Sequence, residues 1–182
     1  MSRAGLYTIC LIIGLLPSVS GYFFPPGEWY FQELEKPSWT PPGWLFGPVW
    51  TTLYVFMGVV LARLLMIRGA LADPHSRMWN FMSPAMAARV RGLTMRNMSS
   101  AVNWALAIFG MQWVCNALWS PLFFGLQSPL YALIDISILW ILLRRAIPMF
   151  WRIDHVSSIL FVPYILWVSF ATALNATIFR LN

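Results

Sequence analysis

Five long apolar runs, at about 4–24, 44–66, 101–124, 128–149 and 156–180, decide what this chain can fold into. A helix crosses a hydrocarbon core about 30 Å thick with roughly 20 apolar residues, and each run has that length. Together they take up most of the 182 residues and leave no stretch for a separate water-soluble domain. Transmembrane strands would be short and strictly alternating, whereas these runs are continuous. Only 10% of the residues are charged, against roughly 25% in soluble domains. The chain therefore reads as an all-α membrane protein, a five-transmembrane-helix bundle forming one domain over 1–182.

A formal charge of +6 is compatible with nucleic-acid binding, but the positions of the charges exclude that class. With five spans, the N-terminus, the 67–100 loop and the 150–155 loop lie on one side. That side and its helix ends hold Arg3, Arg63, Arg68, Arg77, Arg89, Arg91, Arg96, Arg144, Arg145 and Arg152. The opposite side has Lys36 and Arg180 with Glu28, Glu33 and Glu35. Such asymmetry orients membrane proteins, the arginine-rich side being cytoplasmic in a bacterial inner membrane. A mitochondrial outer membrane is the other home this composition allows. Within the 67–100 loop, Met86–Arg91 can be read as an interfacial helix or, more simply, as part of an orienting basic loop.

The first run begins with Arg3 and Leu6–Leu16 and passes Ser18-Val19-Ser20 before Gly21, which is also the layout of a cleavable leader. Apolar character continues through Tyr22-Phe23-Phe24, so a full span is expected. Gly14, Ser18 and Gly21 share one face of this helix and suit close packing, either on a neighbouring helix or across a homodimer. Pro17, which lacks an N–H, is expected to kink it. Cys10 and Cys115 fall inside apolar runs as small packing residues. His75 and His155 stand alone in loops, without the spacing of a metal site.

The stretch KPSWTPPGWLFGPVW, Lys36 to Trp50, lies at the mouth of the second run. Pro37, Pro41 and Pro42 rule out a continuous helix, and each residue before a proline is pushed toward extended geometry. A stiff, ordered loop results. Trp39 and Trp44 suit a membrane–water boundary.

On helical wheels, Gln112, Asn116, Trp119 and Phe123 fall within about 60° of one another, as do Trp50, Tyr54, Met57 and Leu61. Tyr164, Trp167, Ala171 and Asn175 lie within about 80°. An amide facing lipid would lack partners at a cost of several kcal/mol, so Gln112, Asn116 and Asn175 point inward. There the amides either pair across helices or meet a ligand. Asp135 sits mid-span, where a carboxyl is a functional candidate by default, yet no basic or acidic partner is visible in the sequence. No nucleophile–base pair, phosphate loop or carboxylate pair appears. Flat, apolar, hydrogen-bonding side chains suit the binding of a large hydrophobic molecule.

Trp29-Tyr30, Leu34, Lys36-Pro37, Trp39 and Pro41-Pro42, followed by Val49-Trp50, Leu53-Tyr54 and Met57-Gly58, resemble the first half of the translocator protein family. This is the TspO / peripheral-type benzodiazepine receptor group, also called tryptophan-rich sensory proteins. Gln112, Asn116 and Trp119 with Phe123-Phe124-Gly125, then Val162-Pro163-Tyr164, Trp167, Ala171 and Leu174-Asn175, are similar to its third and fifth helices. The resemblance covers nearly the whole chain except 68–100.

It implies a dimeric five-helix bundle in membrane lipid, with a ligand cavity opening toward the first loop. The implied ligands are porphyrins such as protoporphyrin IX or a haem-like tetrapyrrole, with sterols in some members and isoquinoline carboxamide or benzodiazepine drugs. No cofactor is required. The implied cavity residues are Val49, Trp50, Tyr54, Asn116, Trp119, Tyr131, Ile138, Trp167, Ala171 and Leu174. The implied lid is Trp39, Pro41, Pro42 and Trp44. Members with a cholesterol-recognition pattern carry tyrosines where this chain has Ala176 and Thr177 ahead of Arg180, which argues against sterol as the main ligand. Two alternatives to a porphyrin receptor are light-dependent porphyrin degradation, which in some members involves the positions of Trp50 and Trp167, and an ion or proton channel using Asp135.

Overall fold

A computed structural model describes residues 2–73, 75–91 and 95–182. Helix α1 (Arg3–Leu15) and helix α2 (Ser18–Phe23) form the first span, broken at Leu16-Pro17 as a missing proline N–H requires. Ser2 caps α1 by accepting from Gly5 N–H at 3.0 Å. The first loop follows, with one wide turn over Trp29–Glu33. Helix α3 (Gly43–Ala72) starts directly after Pro41-Pro42 and runs 30 residues, past the predicted end at 66. A short 3-10 turn over Arg77–Phe81 and helix α4 (Pro84–Arg91) occupy the basic loop. The Met86–Arg91 stretch is thus helical, while the side chains of Arg89, Arg91 and Arg96 lie outside the described residues.

Helix α5 (Met95–Ser120) ends in a wide turn over Pro121–Gly125. Helix α6 (Pro129–Ile153) is capped by Ser128, with proline at the first helical position where no donor is needed. Helix α7 (His155–Leu181) follows immediately, with Asp154 as its cap accepting from Ser157 N–H at 3.1 Å. Hairpins this short make α6 and α7 antiparallel neighbours.

The architecture is an all-α bundle of five spans: α1/α2, α3, α5, α6 and α7. Among the described residues, four segments are long and apolar enough to cross a membrane: Arg3–Phe23, Gly43–Ala72, Met98–Gly125 and His155–Leu181. The fifth span, α6, has 25 residues, but Asp135, Arg144, Arg145 and Arg152 interrupt its apolar run. Helix α3 packs on α1, α5 and α7, α6 packs on α5 and α7, and α2 leans on α5. In lipid, apolar burial does not drive helices together, so close backbone approach and internal polar bonds must hold the bundle.

Both devices are present. A Cβ on Gly14 would stand 2.6 Å from backbone atoms of Tyr54 and Gly58, and one on Gly58 would stand 2.7 Å from Leu11 Cα. Gly14 therefore marks an intramolecular α1–α3 crossing. Ser18 and Gly21, on the same face nearer the loop, open onto a cavity instead. At the opposite end, Arg63 grips Asp154 in a fork, with Nε–Oδ2 at 2.6 Å and Nη2–Oδ1 at 2.7 Å. That pair ties α3 to the α6–α7 corner.

Candidate functional site

The amides of α5 turn inward, as their need for partners in lipid requires. Tyr54 Oη on α3 donates to Asn116 Oδ1 at 2.9 Å. Asn116 Nδ2 donates to Tyr164 Oη on α7, and Tyr164 Oη donates to Gln112 Oε1 at 2.9 Å. All four side chains are buried. This chain of bonds joins three helices at the level where the bundle becomes solid. Gln112 Nε2 ends it without a hydrogen-bond partner among the described residues.

Above that floor lies a cavity of about 450 Å³, lined by all five spans and by the first loop. Its walls are ring pairs. Trp50 stacks on Tyr54 along α3, with centroids 5.6 Å apart and an interplanar angle of 26°. Trp119, at the end of α5, stacks on Phe123 in the wide turn that follows, at 4.8 Å and 14°. Both pairs sit one helical turn apart, the spacing at which side chains meet on one face. Ala171, Leu174 and Asn175 on α7 and Ile136 and Leu139 on α6 complete the enclosure. Asn175 also fastens α7 to α6. Its amide, oriented by these bonds, donates to Pro129 O at 3.0 Å and accepts from Leu133 N–H at 3.1 Å.

The first loop covers the cavity with Pro26, Tyr30 and Phe31. Lys36 donates to Tyr30 O and lies 4.3 Å from the centre of the Tyr30 ring, a cation–π contact that stiffens the turn. Burial pushes the Tyr30 phenol up from its ordinary range, so it stays neutral. Asn182 clamps the loop to the end of α7. It donates to Glu35 O and accepts from Glu35 N–H, both at 3.0 Å.

The structure brings Trp50, Tyr54, Asn116, Trp119, Ala171 and Leu174 together around one cavity. Four other sequence candidates stand elsewhere. Val49 and Trp167 line a second hollow of about 540 Å³ on the outer side of the α3–α7 seam, with Leu166 and Phe170. Tyr131 and Ile138 face away from the bundle, 55% and 47% exposed. They fall on α6's outer face because Ala132, Asp135, Ile136 and Leu139 occupy the inner one. In the lid, Trp39 rests its edge on Phe170 of α7, centroids 5.8 Å apart. Trp44 points outward at 74% exposure, and Pro41-Pro42 shape the turn into α3. Tyr30, Phe31 and Phe46 are cavity residues that the sequence reading missed. Asp135 is buried on the α5-facing side of α6 beside Cys115. One of its carboxylate oxygens has no hydrogen-bond partner among the described residues.

A sequence model of the TspO/MBR family matches residues 6–181. The chain belongs to the TspO/MBR family. It is 39% identical over 175 residues to the tryptophan-rich protein TspO of Chlorobaculum tepidum, covering 96% of this chain and 91% of that one. It is 34% identical over 177 residues to the CrtK protein of Rhodobacter capsulatus, covering 97% and 92%. It is 30% identical over 174 residues to the human translocator protein, covering 92% and 86%. The TspO/MBR resemblance drawn from the first loop and from the second, third and fifth helices is therefore a family membership. As a TspO/MBR protein with several apolar helices, the chain is an integral membrane protein.

Proposed function

We propose that this TspO/MBR protein is a membrane receptor for porphyrins, protoporphyrin IX foremost, which it binds in the cavity beneath the first loop and so senses or moves. One observation carries the reading: two stacked aromatic pairs, Trp50–Tyr54 and Trp119–Phe123, border one hollow under a proline-stiffened lid. A planar conjugated guest gains most from such faces, each ring contact adding about 0.5–1.5 kcal/mol beyond the area it buries. The cavity's 450 Å³ lies within the span of small-molecule sites, roughly 300–1,000 Å³. Isoquinoline carboxamides and benzodiazepines, also flat and sparsely polar, fit the same walls. The names translocator and tryptophan-rich sensory protein, carried by relatives, agree with moving or sensing a ligand.

The test is a titration of the detergent-solubilised protein with protoporphyrin IX, followed by quenching of tryptophan fluorescence. Trp119→Ala and Trp50→Ala each weaken binding by about tenfold, the equivalent of about 1.4 kcal/mol. Unchanged affinity in both variants would remove the cavity assignment.

A further inference from the structure

Helix α6 is the span whose apolar run is broken by charge, and the break is one-sided. Asp135 turns inward, while Arg144, Arg145 and Arg152 are all exposed on the outer surface, within about 100° on the wheel. At 1.5 Å per residue, Arg144 and Arg145 stand about 22–24 Å along the axis from Pro129, and Arg152 about 34 Å. Against a hydrocarbon thickness of about 30 Å, the first two rise from within the acyl layer and the third lies at its edge. Two guanidinium groups facing lipid at that depth are costly unless they reach an anion.

Among the described residues no carboxylate pairs with Arg144 or Arg145. Helices α5 and α7 contain no Asp or Glu. Asp154 is committed to Arg63 and to the cap of α7, and Asp73 accepts from His75 N–H at 2.8 Å. The site is nonetheless built. Trp140 Nε1 donates to Ser169 Oγ at 2.8 Å, which fixes the indole on the α6–α7 seam. The Arg144 guanidinium lies 5.7 Å from the centre of that ring, so its fork is oriented before any ligand arrives. Trp151, two turns beyond Arg144 on the same face, is a half-exposed ring at headgroup level.

We infer that Arg144 and Arg145 hold the phosphate of an anionic phospholipid against the outer face of α6. Long arginine stems run up through the acyl layer and place their forks at the phosphodiester, which they bind in bidentate fashion. Two guanidinium groups with no carboxylate paired to them select a net-negative headgroup over a zwitterionic one, whose own ammonium would be repelled.

The experiment measures thermal unfolding of the delipidated full chain in a neutral detergent, with phosphatidylglycerol or phosphatidylcholine added. Phosphatidylglycerol is expected to raise the melting temperature by several degrees and phosphatidylcholine by less than a third as much. The response to phosphatidylglycerol should fall at least threefold in R144Q/R145Q, and by an intermediate amount in R144K/R145K, which keeps the charge and loses the fork. A control, R3Q/R77Q, removes the same charge elsewhere on that side and should leave the response intact. Equal stabilisation by both lipids, a full response in R144Q/R145Q, or an equal loss in R3Q/R77Q would overturn the assignment. So would an equal shift from inorganic phosphate, which would point to a soluble anion instead of a lipid.

Discussion

The Trp113 indole N–H donates to the Ile13 carbonyl at 2.9 Å, and Ile13 is the residue whose helical donor would have come from position 17. Pro17 has no N–H to give, and lipid offers no water in its place. A longer bond from Leu16 N–H at 3.3 Å shares the same carbonyl. The kink that divides α1 from α2 is therefore held by a side chain from α5. Because Pro17 and Ser18 border the cavity, this bond sets the position of one cavity wall.

Trp113→Phe, which keeps the ring and removes the donor, should lower stability by about 1 kcal/mol, the usual worth of such a bond. In a Pro17→Ala background the carbonyl regains its backbone donor, and the same substitution should cost less than half as much. Thermal unfolding of the four proteins in one detergent gives the coupling. Equal costs in both backgrounds would separate Trp113 from the kink.

The α1–α3 crossing makes a sharper demand. A methyl on Gly14 would meet backbone atoms of Tyr54 and Gly58 at 2.6 Å, and backbone cannot rotate aside. Gly14→Ala should destabilise by about 1–3 kcal/mol, the range for overpacking. Gly110→Ala, with nothing within 4 Å, should be neutral or slightly stabilising because alanine favours helix. If both variants melt alike, the crossing is looser than its distances state.

The Arg63–Asp154 pair predicts an acid limit. Burial opposes the Asp154 charge, but the Arg63 guanidinium and the Ser157 hydroxyl and N–H outweigh it and hold the carboxyl below its ordinary range. A carboxyl lowered on folding contributes stability that is complete above its unfolded value near about 4 and is lost as pH falls through the folded value. The melting temperature of the wild type should be level from pH 7 to 5 and drop below about pH 4. Asp154→Asn leaves Arg63 largely buried without its anion, at a cost of about 3 kcal/mol, and should flatten that acid-side drop. An Asp154→Asn protein that still loses the full increment below pH 4 would assign the acid sensitivity to another group.

The fold was legible because lipid forces each span to be long and apolar, and helix number follows from that alone. The inward direction of Gln112 and Asn116 was also legible, since an amide has no partner in acyl chains. The place of Tyr131 and Ile138 was not legible: the family resemblance implied that they line the cavity, whereas both lie on the outer face of α6 and Ile136 and Leu139 border the cavity instead. Both faces of α6 are apolar, one toward protein and one toward lipid, so hydropathy alone does not separate them. A signal was present: Asp135 must turn inward, and it shares a face with Ala132 and Leu139. Tyr30 and Phe31 were not placed at the cavity because no periodicity survives a loop rich in proline and glycine. The distant partners Arg63–Asp154 and Trp113–Ile13 depend on how helices cross, which a single sequence does not encode locally.

The proposed receptor role requires that a flat, oily guest enters the cavity under the first loop, and not the outer hollow of the α3–α7 seam. The most direct measurement compares protoporphyrin IX affinity in Ala171→Trp, which fills the cavity, with Leu166→Trp, which fills the outer hollow. Ala171→Trp should weaken binding by more than about tenfold, a loss above about 1.4 kcal/mol, while Leu166→Trp stays within about twofold of wild type. The reverse pattern, with Leu166→Trp abolishing binding and Ala171→Trp leaving it whole, would contradict the cavity as the binding site.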